Sequence, residues 1–370
     1  MPTTVADIQD YSPRELTELA ERIKQWGREL GFAQVGITDT DLEAHERYLE
    51  RWLAAGRHGE MGFMAKHGSK RTRPHELIPG TLRVISVRMD YLPPEVETTK
   101  LLAKPDKAYV SRYALGRDYH KLIRKRLAAL VKHIEDEVGA FGYRAFVDSA
   151  PVMERALAQK AGLGWFGKNS MLLNPQAGSL FFLGELYTDL PLPVDAPFEN
   201  EHCGNCSQCR TACPTGAIVD DKVVDSRRCI SYLTIELHGS IPEQYREAMG
   251  NRVYGCDDCQ LVCPFTRFTR ASHERDFAPR HDLDRASLVR LFAWSEEEFL
   301  AKTEGSAIRR IGYIRWLRNL AVGLGNAPWS ETLEAALRAR LSYPSELVRE
   351  HVRWALARQY EKRQRLIARS

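Results

Sequence analysis

The order of apolar and polar positions predicts an N-terminal region that contains both helices and strands. Ser12-Pro13-Arg14-Glu15 has the spacing of a capping box with proline at the first helical position, so a helix is expected to begin there and end near Gly31. DYHKLIRKRLAALVKHIEDEVG has helical periodicity and predicts a second helix ending near Gly139. Runs rich in β-branched and aromatic residues predict strands at FAQVGITD, RVISVRMDYL, RAFVD and SLFFLGEL.

The pattern changes twice further along the chain. Residues 191–202, PLPVDAPFENEH, are proline-rich and acidic, which is typical of a linker between domains. After about Phe265 the pattern turns helical, and LRNLAVGLG and VREHVRWAL can be superposed 31 residues apart. This favours HEAT-type helix pairs, with an ordinary helical domain as the alternative. We therefore predict a multidomain α+β protein: an α/β domain over 1–195, a cysteine-rich domain over 196–270 and a helical domain over 271–370.

Composition is that of a soluble globular protein of 370 residues, with 44% hydrophobic and 28% charged residues. No apolar run approaches the roughly 20 residues that a membrane helix needs. The N-terminal MPTTVADIQD has neither basic residues nor an apolar core, which predicts that it is not a signal peptide. A cytoplasmic protein without a membrane partner is expected.

Charge is distributed unevenly although the net value is only +4. Residues 307–370 contain 12 Arg and 1 Lys against 5 Glu, so this segment is strongly basic and the remainder is slightly acidic. A basic helical module indicates a polyanionic partner such as nucleic acid. A solvated helical surface is the equally acceptable alternative from charge alone.

All eight cysteines lie between Cys203 and Cys263, which in a large chain without a secretory signal favours metal binding over disulfides. The first four, ending in Cys213-Pro214, match the ferredoxin run whose last cysteine serves the other cluster. A second, partial copy ends in Cys263-Pro264. The pattern predicts two interleaved [4Fe–4S] clusters and argues against structural zinc. The predicted ligands are Cys203, Cys206, Cys209 and Cys263 for cluster one, and Cys213, Cys229, Cys256 and Cys259 for cluster two.

Three other motifs are near-misses. Gly162 to Gly167 fits G-x-G-x-x-G, but a predicted helix precedes it where a dinucleotide site needs a strand. Gly162 to Lys168 fits a phosphate loop except that Asn169 replaces the Ser or Thr. Asp118-Tyr119-His120 resembles the start of the cobalamin motif D-x-H-x-x-G, but Ile123 stands in place of the glycine. The electron acceptor therefore stays open at this point.

Several long runs resemble the epoxyqueuosine reductase family, from about Arg22 to the C-terminal helices. They are SRYALGRDYHK, FVDSAPVMERALAQKAGLGWFGKNS, AGSLFFLGEL, CISYLTIELHG, YGCDDCQLVCP and EGSAIRRIGYIRWLRNLAVGLGN. The resemblance implies cobalamin in the N-terminal domain, two [4Fe–4S] clusters and a HEAT-like C-terminal part. It implies reduction of the epoxide of epoxyqueuosine at the wobble position of tRNA, the last step of queuosine synthesis. A low-potential donor such as flavodoxin or ferredoxin and a monomeric state are further expectations. A cobalamin-dependent reductase of a small molecule, similar to reductive dehalogenases, is the alternative.

The resemblance also implies roles for particular residues. Asp148, at the end of a predicted strand, matches the family's proton donor, and its apolar neighbours are expected to raise its pKa. From the sequence alone, a turn or helix-cap role for Asp148 before PVMERALA is favoured over a catalytic one. Cobalamin contacts are expected from Arg71, Tyr113, Asp148, Lys168 and Ser170, and also from Ser231, Tyr232, Asp257 and Asp258. Contacts with the tRNA backbone are expected from Arg309, Arg310, Arg315 and Arg318.

Overall fold

The computed structural model describes residues 11–97 and 99–368. The stretch on which the signal-peptide prediction depends, residues 1–10, lies outside the described residues. Within the described part of the chain, no helix is both long and apolar enough to cross a membrane.

The elements are named in chain order. The strands are β1 Gln34–Thr38, β2 Arg83–Asp90, β3 Tyr109–Val110, β4 Tyr143–Phe146, β5 Trp165–Phe166, β6 Leu172–Leu173, β7 Phe181–Thr188, β8 Ile218–Asp220, β9 Val223–Val224 and β10 Arg252–Tyr254. The α-helices are α1 Pro13–Glu29, α2 Glu43–Ala54, α3 Phe63–Lys66, α4 Pro74–Leu77, α5 Tyr119–Val138, α6 Glu154–Lys160, α7 Gln208–Thr211, α8 Ile230–Ile235, α9 Glu243–Arg246, α10 Asp258–Leu261, α11 Leu288–Phe292, α12 Glu296–Lys302, α13 Gly312–Asn326, α14 Glu331–Arg338 and α15 Glu346–Ile367. Short 3₁₀ helices lie at Gly68–Arg71, Arg112–Ala114, Ser226–Arg228, Pro264–Phe268, Arg275–Phe277 and Ala307–Ile311.

The predicted N-terminal elements are confirmed. Ser12 accepts the backbone N–H of Glu15, whose carboxylate accepts from Ser12 in return, so α1 begins with a complete capping box. The second predicted helix is α5, which ends at Gly139 with a φ of +78°, a conformation that favours glycine. The four predicted strands are β1, β2, β4 and β7.

Those four strands form one sheet in the order β1-β2-β7-β4. Each of its pairings among the described residues is antiparallel, as in an α+β domain and unlike the parallel sheet of doubly wound α/β domains. Helices α1 and α5 cover one face of the sheet, and α6 packs on the other. Because side chains alternate along β7, Leu186 enters the first core while Glu185 and Tyr187 face α6.

The predicted linker over residues 191–202 has no regular secondary structure but is held against the first domain. Asp195 accepts the backbone N–H of Ile37 at 2.8 Å and the ammonium group of Lys24 at 2.6 Å. Leu192 is completely buried. This segment is therefore a fixed strap that leads the chain from β7 to the first cysteine.

The 26 residues between Cys229 and Cys256 connect the cysteine region to the C-terminal helices. They contain α8, α9 and β10, and β10 pairs in parallel with β3. Asn319 on α13 donates to the carbonyls of Thr234 and Val253. The buried residues around β3 share a hydrophobic core with α11, α13 and α15, although β3 lies within residues 1–195.

Candidate active site

The eight thiols form two groups, and each group combines residues from distant parts of the sequence. Cys203, Cys206, Cys209 and Cys263 line a cavity of about 130 Å³. Burial raises the pKa of Cys209, and the neighbouring thiols of Cys203, Cys263 and Cys206 act in the same direction. Cys263 thus lies with the first three cysteines although more than 50 residues separate it from Cys209.

The second group lies deeper. Burial raises the pKa of Cys259, with a further contribution from Cys229 and Cys213. Burial likewise raises the pKa of Cys256. The neighbouring Asp258 and then Cys229 raise it further. Cys213 therefore lies near Cys229 and Cys259, which follow it by 16 residues or more. The two groups are adjacent, since Cys209 also acts on Cys259.

The chemistry of the two groups fits iron–sulfur clusters. Among the described residues, no three His, Cys, Asp or Glu side chains converge on a position for a single metal ion. A [4Fe–4S] cube differs in that each of its four thiolates binds a separate iron, so the ligands surround a larger volume. The cavity lined by the first four cysteines provides such a volume.

Asp148 lies in a loop directly after β4, two residues beyond Phe146. Its backbone has a φ of +50°, which is uncommon for a residue other than glycine and often marks a functional position. Its carboxylate accepts from the Tyr119 hydroxyl at 2.5 Å and lies 3.3 Å from Nε2 of His120. The side chain is 51% exposed, so a substrate can reach it.

The expectation of a raised pKa for Asp148 is wrong. Desolvation acts to raise this pKa, but the hydrogen bonds from His120 and Tyr119 act in the opposite direction and prevail, so the pKa lies below its ordinary value. For His120, desolvation acts to lower the pKa, yet Asp118 and Asp148 together raise it to about 9. At neutral pH the proton therefore lies on His120, beside a charged Asp148.

Tyr119 and His120 were not predicted as functional residues. They begin α5, where the carboxylate of Asp118 accepts the backbone N–H of His120 at 3.0 Å and lies 2.6 Å from its Nδ1. The sequence signal that could have found them is Asp118-Tyr119-His120, which was considered only as an incomplete cobalamin motif. Tyr119 and His120 instead contact the candidate acid, and Asp118 holds His120 from the other side.

Two more acidic residues lie behind Asp148. Glu154, the first residue of α6, accepts the backbone N–H of Asp148 at 2.5 Å. Glu185 on β7 is completely buried, and its carboxyl group contacts that of Glu154. An acidic residue within the apolar run SLFFLGEL was the sequence signal for this second position.

The residues expected to contact cobalamin lie in three places. Arg71 is buried and faces Glu154, and Tyr113 faces Tyr119 and Asp148, so both belong to the surroundings of the candidate acid. Lys168 pairs with Asp221 at 3.2 Å, and Ser170 donates to the carbonyl of Lys222 at 2.5 Å. These two therefore lie beside the β8–β9 hairpin.

The remaining four lie near the second group of thiols. Ser231 donates to the carbonyl of Cys256 at 3.5 Å, and the Tyr232 hydroxyl accepts the N–H of Glu60 at 2.8 Å. Asp257 is buried and accepts from Tyr109, Ser111 and the N–H of Arg112. Asp258 pairs with Arg252 and lies 2.8 Å from the sulfur of Cys256. Both aspartates thus brace the segment that holds Cys256.

The four arginines expected to bind tRNA occupy different environments. Arg309 and Arg310 are exposed, and Arg310 pairs with Glu236 at 2.9 Å while acting electrostatically on Asp148. Arg315 is partly buried and donates to the carbonyls of Ile311, Ile235 and Arg310.

The prediction that Arg318 contacts tRNA is wrong. This side chain is completely buried, and its guanidinium donates to the carbonyls of Leu233, Leu237 and Gly239. A residue enclosed in this way has no surface to offer to a phosphate group.

Comparisons with known proteins agree with this architecture. Residues 71–149 match the family described as "Epoxyqueuosine reductase QueG, DUF1730", and residues 202–266 match a "4Fe-4S double cluster binding domain". The curated epoxyqueuosine reductase of Pseudomonas aeruginosa is 63% identical over 97% of this chain and 99% of its own. Two solved structures of epoxyqueuosine reductases, each 26% identical, cover 92% of this chain and 90% of their own. One, in complex with an epoxyqueuosine-modified tRNA-Tyr stem loop, has a TM-score of 0.84. The other, from Bacillus subtilis with its catalytic loop swung out of the active site, has a TM-score of 0.81.

The multidomain α+β fold with a double-cluster domain is thereby confirmed. With 63% identity over nearly the whole of both chains, this protein belongs to the epoxyqueuosine reductase family of oxidoreductases.

Proposed function

We propose that this protein reduces the epoxide of epoxyqueuosine at the wobble position of tRNA, giving queuosine. The observation that carries the proposal is the position of Asp148: an accessible carboxylate backed by a protonated histidine, in a chain that also holds eight thiols in two groups. The P. aeruginosa relative is named for this reaction, and a solved relative holds an epoxyqueuosine-modified stem loop. Family membership favours tRNA over the small-molecule alternative.

The two thiol groups are proposed as the ligands of two [4Fe–4S] clusters. The first comprises Cys203, Cys206, Cys209 and Cys263, and the second comprises Cys213, Cys229, Cys256 and Cys259. The adjacency of Cys209 and Cys259 supports electron transfer between the clusters.

Double cysteine variants test this grouping through iron content alone. In C213S/C229S both lost ligands belong to cluster two, so we expect about half of the wild-type iron to remain. In C209S/C213S the lost ligands are only four residues apart but belong to different clusters, so we expect nearly all iron to be lost. The iron content of each variant is measured by iron and sulfide analysis of anaerobically purified protein. Equal iron content in the two variants would contradict the interleaved assignment.

We propose that cobalamin binds in a cleft beside Asp148. Arg71 Nε and the Tyr187 hydroxyl are buried polar atoms without a hydrogen-bond partner among the described residues, and the peripheral amides of a corrinoid offer partners of this kind. When bound and reduced through the clusters, cobalamin would supply the electrons that cleave the carbon–oxygen bond. We propose Arg71, Tyr113, Lys168, Ser170, Ser231 and Tyr232 as residues that hold it, while Asp257 and Asp258 brace cluster two.

Proton supply is the task of this chain's own residues. Converting an epoxide to an alkene and water consumes two electrons and two protons, and the oxygen must be protonated to leave. We propose that Asp148 faces this oxygen and passes it a proton held by His120, whose Nε2 lies 3.3 Å from the Asp148 carboxylate. Tyr119, which donates to the same carboxylate oxygen at 2.5 Å, keeps that carboxylate in position.

The C-terminal helical part, for which HEAT-like pairing stays a proposal, would bind the tRNA backbone. Arg309 and Arg310 are its proposed contacts, and Arg310 lies close enough to Asp148 to connect the tRNA surface with the cleft. Backbone contacts of this type position the nucleic acid, and recognition of the modified base falls to the cleft.

We expect R309A/R310A to weaken tRNA binding. Each lost phosphate contact should lower the slope of log affinity against log salt by about one. The matched control is R285A/R290A, which removes two other exposed arginines that pair with Asp282. Filter-binding titrations at several salt concentrations measure both quantities. Equal affinities and slopes in the two double variants would count against this surface.

The proposed function as a whole is tested with the intact protein. It is purified anaerobically, supplied with cobalamin and incubated with epoxyqueuosine-containing tRNA and a chemical reductant. The spectrum is expected to show bound corrinoid, and nucleoside analysis is expected to show queuosine. A protein that holds both clusters yet binds no corrinoid, or that forms no queuosine, would contradict the proposal.

A further inference from the structure

Behind Asp148 lies a pair of carboxyl groups for which the reaction described above has no role. Glu185 is 0% exposed, and one of its oxygens, Oε1, accepts from the Ser86 hydroxyl at 3.4 Å. Its other oxygen, Oε2, has no hydrogen-bond donor among the described residues. The carboxyl group of Glu154 lies against the carboxyl group of Glu185.

Two carboxylates in contact away from water cannot both be ionised, because desolvation and mutual repulsion both oppose the second charge. A proton on Glu185 removes the repulsion and turns an unpartnered acceptor into a donor toward Glu154. Burial, followed by repulsion from Glu154, accordingly holds the pKa of Glu185 well above its ordinary value. Burial and the charge of Asp148 raise the pKa of Glu154 as well.

The pair is connected to the candidate acid through the backbone. Glu154 accepts the N–H of Asp148 at 2.5 Å, at the residue whose φ of +50° needs support from its surroundings. The loop is otherwise held through the Asp148 carboxylate and a 2.9 Å hydrogen bond from Arg124 to Ser149. In the B. subtilis relative the catalytic loop has been observed swung out of the active site.

We propose that Glu154 and Glu185 share a proton and act as a latch that holds the Asp148 loop inside the active site. Glu185 carries the proton and donates to Glu154, which leaves the Glu154 carboxylate free to accept the Asp148 N–H. Both are positioning residues, because they act on the reaction only through Asp148. The catalytic consequence rests on the proposed function, whereas the latch itself is a property of the folded chain.

Hydrogen exchange of the Asp148 amide tests the latch without turnover. We expect E154A to exchange on the order of tenfold faster at this amide, since the variant loses its acceptor. E185Q is the conservative variant: its amide supplies permanently the donor that the proton supplies in the wild type, so protection is expected to stay. E185L introduces an apolar side chain of similar size that has no donor. Protection of the Asp148 amide is expected to fall as in E154A. Iron content and thermal unfolding show whether each variant is folded.

A pH series separates a shared proton from simple packing. The other titratable or charged groups facing the pair are Asp148, His120, Tyr119, Arg71, Arg155 and Tyr187. All of them remain in E185Q, so any difference from the wild type belongs to the pair. When rising pH removes the shared proton, the two carboxylates repel each other and wild-type protection at Asp148 should decrease, while that of E185Q should not.

Unchanged protection in E154A would overturn the latch, and a loss in E185Q equal to that in E154A would overturn the shared proton. The predicted exchange pattern in a protein that forms no queuosine would instead support the latch and contradict the proposed function.

Discussion

Replacing Asp148 with asparagine is expected to reduce turnover of epoxyqueuosine-containing tRNA by about 10²–10⁴-fold, the usual contribution of a general acid. Asparagine has nearly the same shape, and its carbonyl can still accept from the Tyr119 hydroxyl, which lies 2.5 Å from the native carboxylate. It cannot take up a proton from His120 and pass it on. The defect should therefore appear in the rate constant of the chemical step, which nucleoside analysis under single-turnover conditions measures.

Three measurements show whether the defect of D148N is chemical. Iron content, bound corrinoid and affinity for tRNA should equal those of the wild type, because Asp148 supplies no cluster ligand and its side chain is half exposed. D136N is the matched control: Asp136 lies on the same helix as His120 but is exposed and paired with Lys132. If D148N turned over within about threefold of D136N, Asp148 would not be the acid.

The surroundings of Asp148 show how far the sequence could define the site. Strand β4 and helix α5 were predicted from local patterns, and the resemblance pointed to Asp148 itself. The protonation of the site was predicted wrongly because it depends on His120 and Tyr119, 28 and 29 residues earlier in the chain. Their approach to Asp148 results from packing α5 on the sheet, which no local pattern of residues reports. Apolar neighbours in the sequence suggested desolvation, whereas hydrogen bonds from the fold decide the outcome.

The cysteines present the opposite case. Their spacing predicted which distant residues would lie together, because a tight run of three thiols needs a fourth from elsewhere and the ferredoxin pattern specifies which. Cys263 lines the same cavity as the first run, and Cys213 acts electrostatically on Cys259, while the division of the ligands between two clusters stays a proposal. The cysteine spacing could not predict the structural role of the 26 residues between Cys229 and Cys256. That segment connects the cysteine region to α13, as its hydrogen bonds with Arg318 and Asn319 show.

The arginines of residues 307–370 explain the error made for Arg318. Charge counting treats all arginines alike, and Arg315 and Arg318 lie one helical turn apart on the same helix as the apolar core residues. Arg318 is enclosed because the Leu233–Gly239 segment packs over it and offers carbonyl groups to its guanidinium. Burial lowers the pKa of this guanidinium to about 9, which reflects the cost of enclosing its charge.

We expect R318L to destabilise the protein by about 2–3 kcal/mol, which for a chain of this length would lower the Tm by about 3–4 °C. The substitution removes this donor from the buried carbonyl of Leu233 and the partly buried carbonyl of Leu237, while water can still reach Gly239, which is exposed. Removing a desolvated charge offsets part of the loss, which keeps the net effect below the sum of the lost hydrogen bonds. Circular dichroism of anaerobic protein during heating gives the Tm.

R309L is the matched control because Arg309 is exposed, and among the described residues its side chain donates only to the carbonyl of Leu300. We expect R309L to keep the wild-type Tm and to weaken tRNA binding. In R318L the main effect should be a lower Tm. Since Arg318 holds the segment that follows Cys229, R318L should also release iron faster when incubated with a chelator, and about half of the iron should be affected. A normal Tm combined with weakened tRNA binding in R318L would mean that this side chain reaches the nucleic acid after all. That result would restore the surface role which its burial excludes.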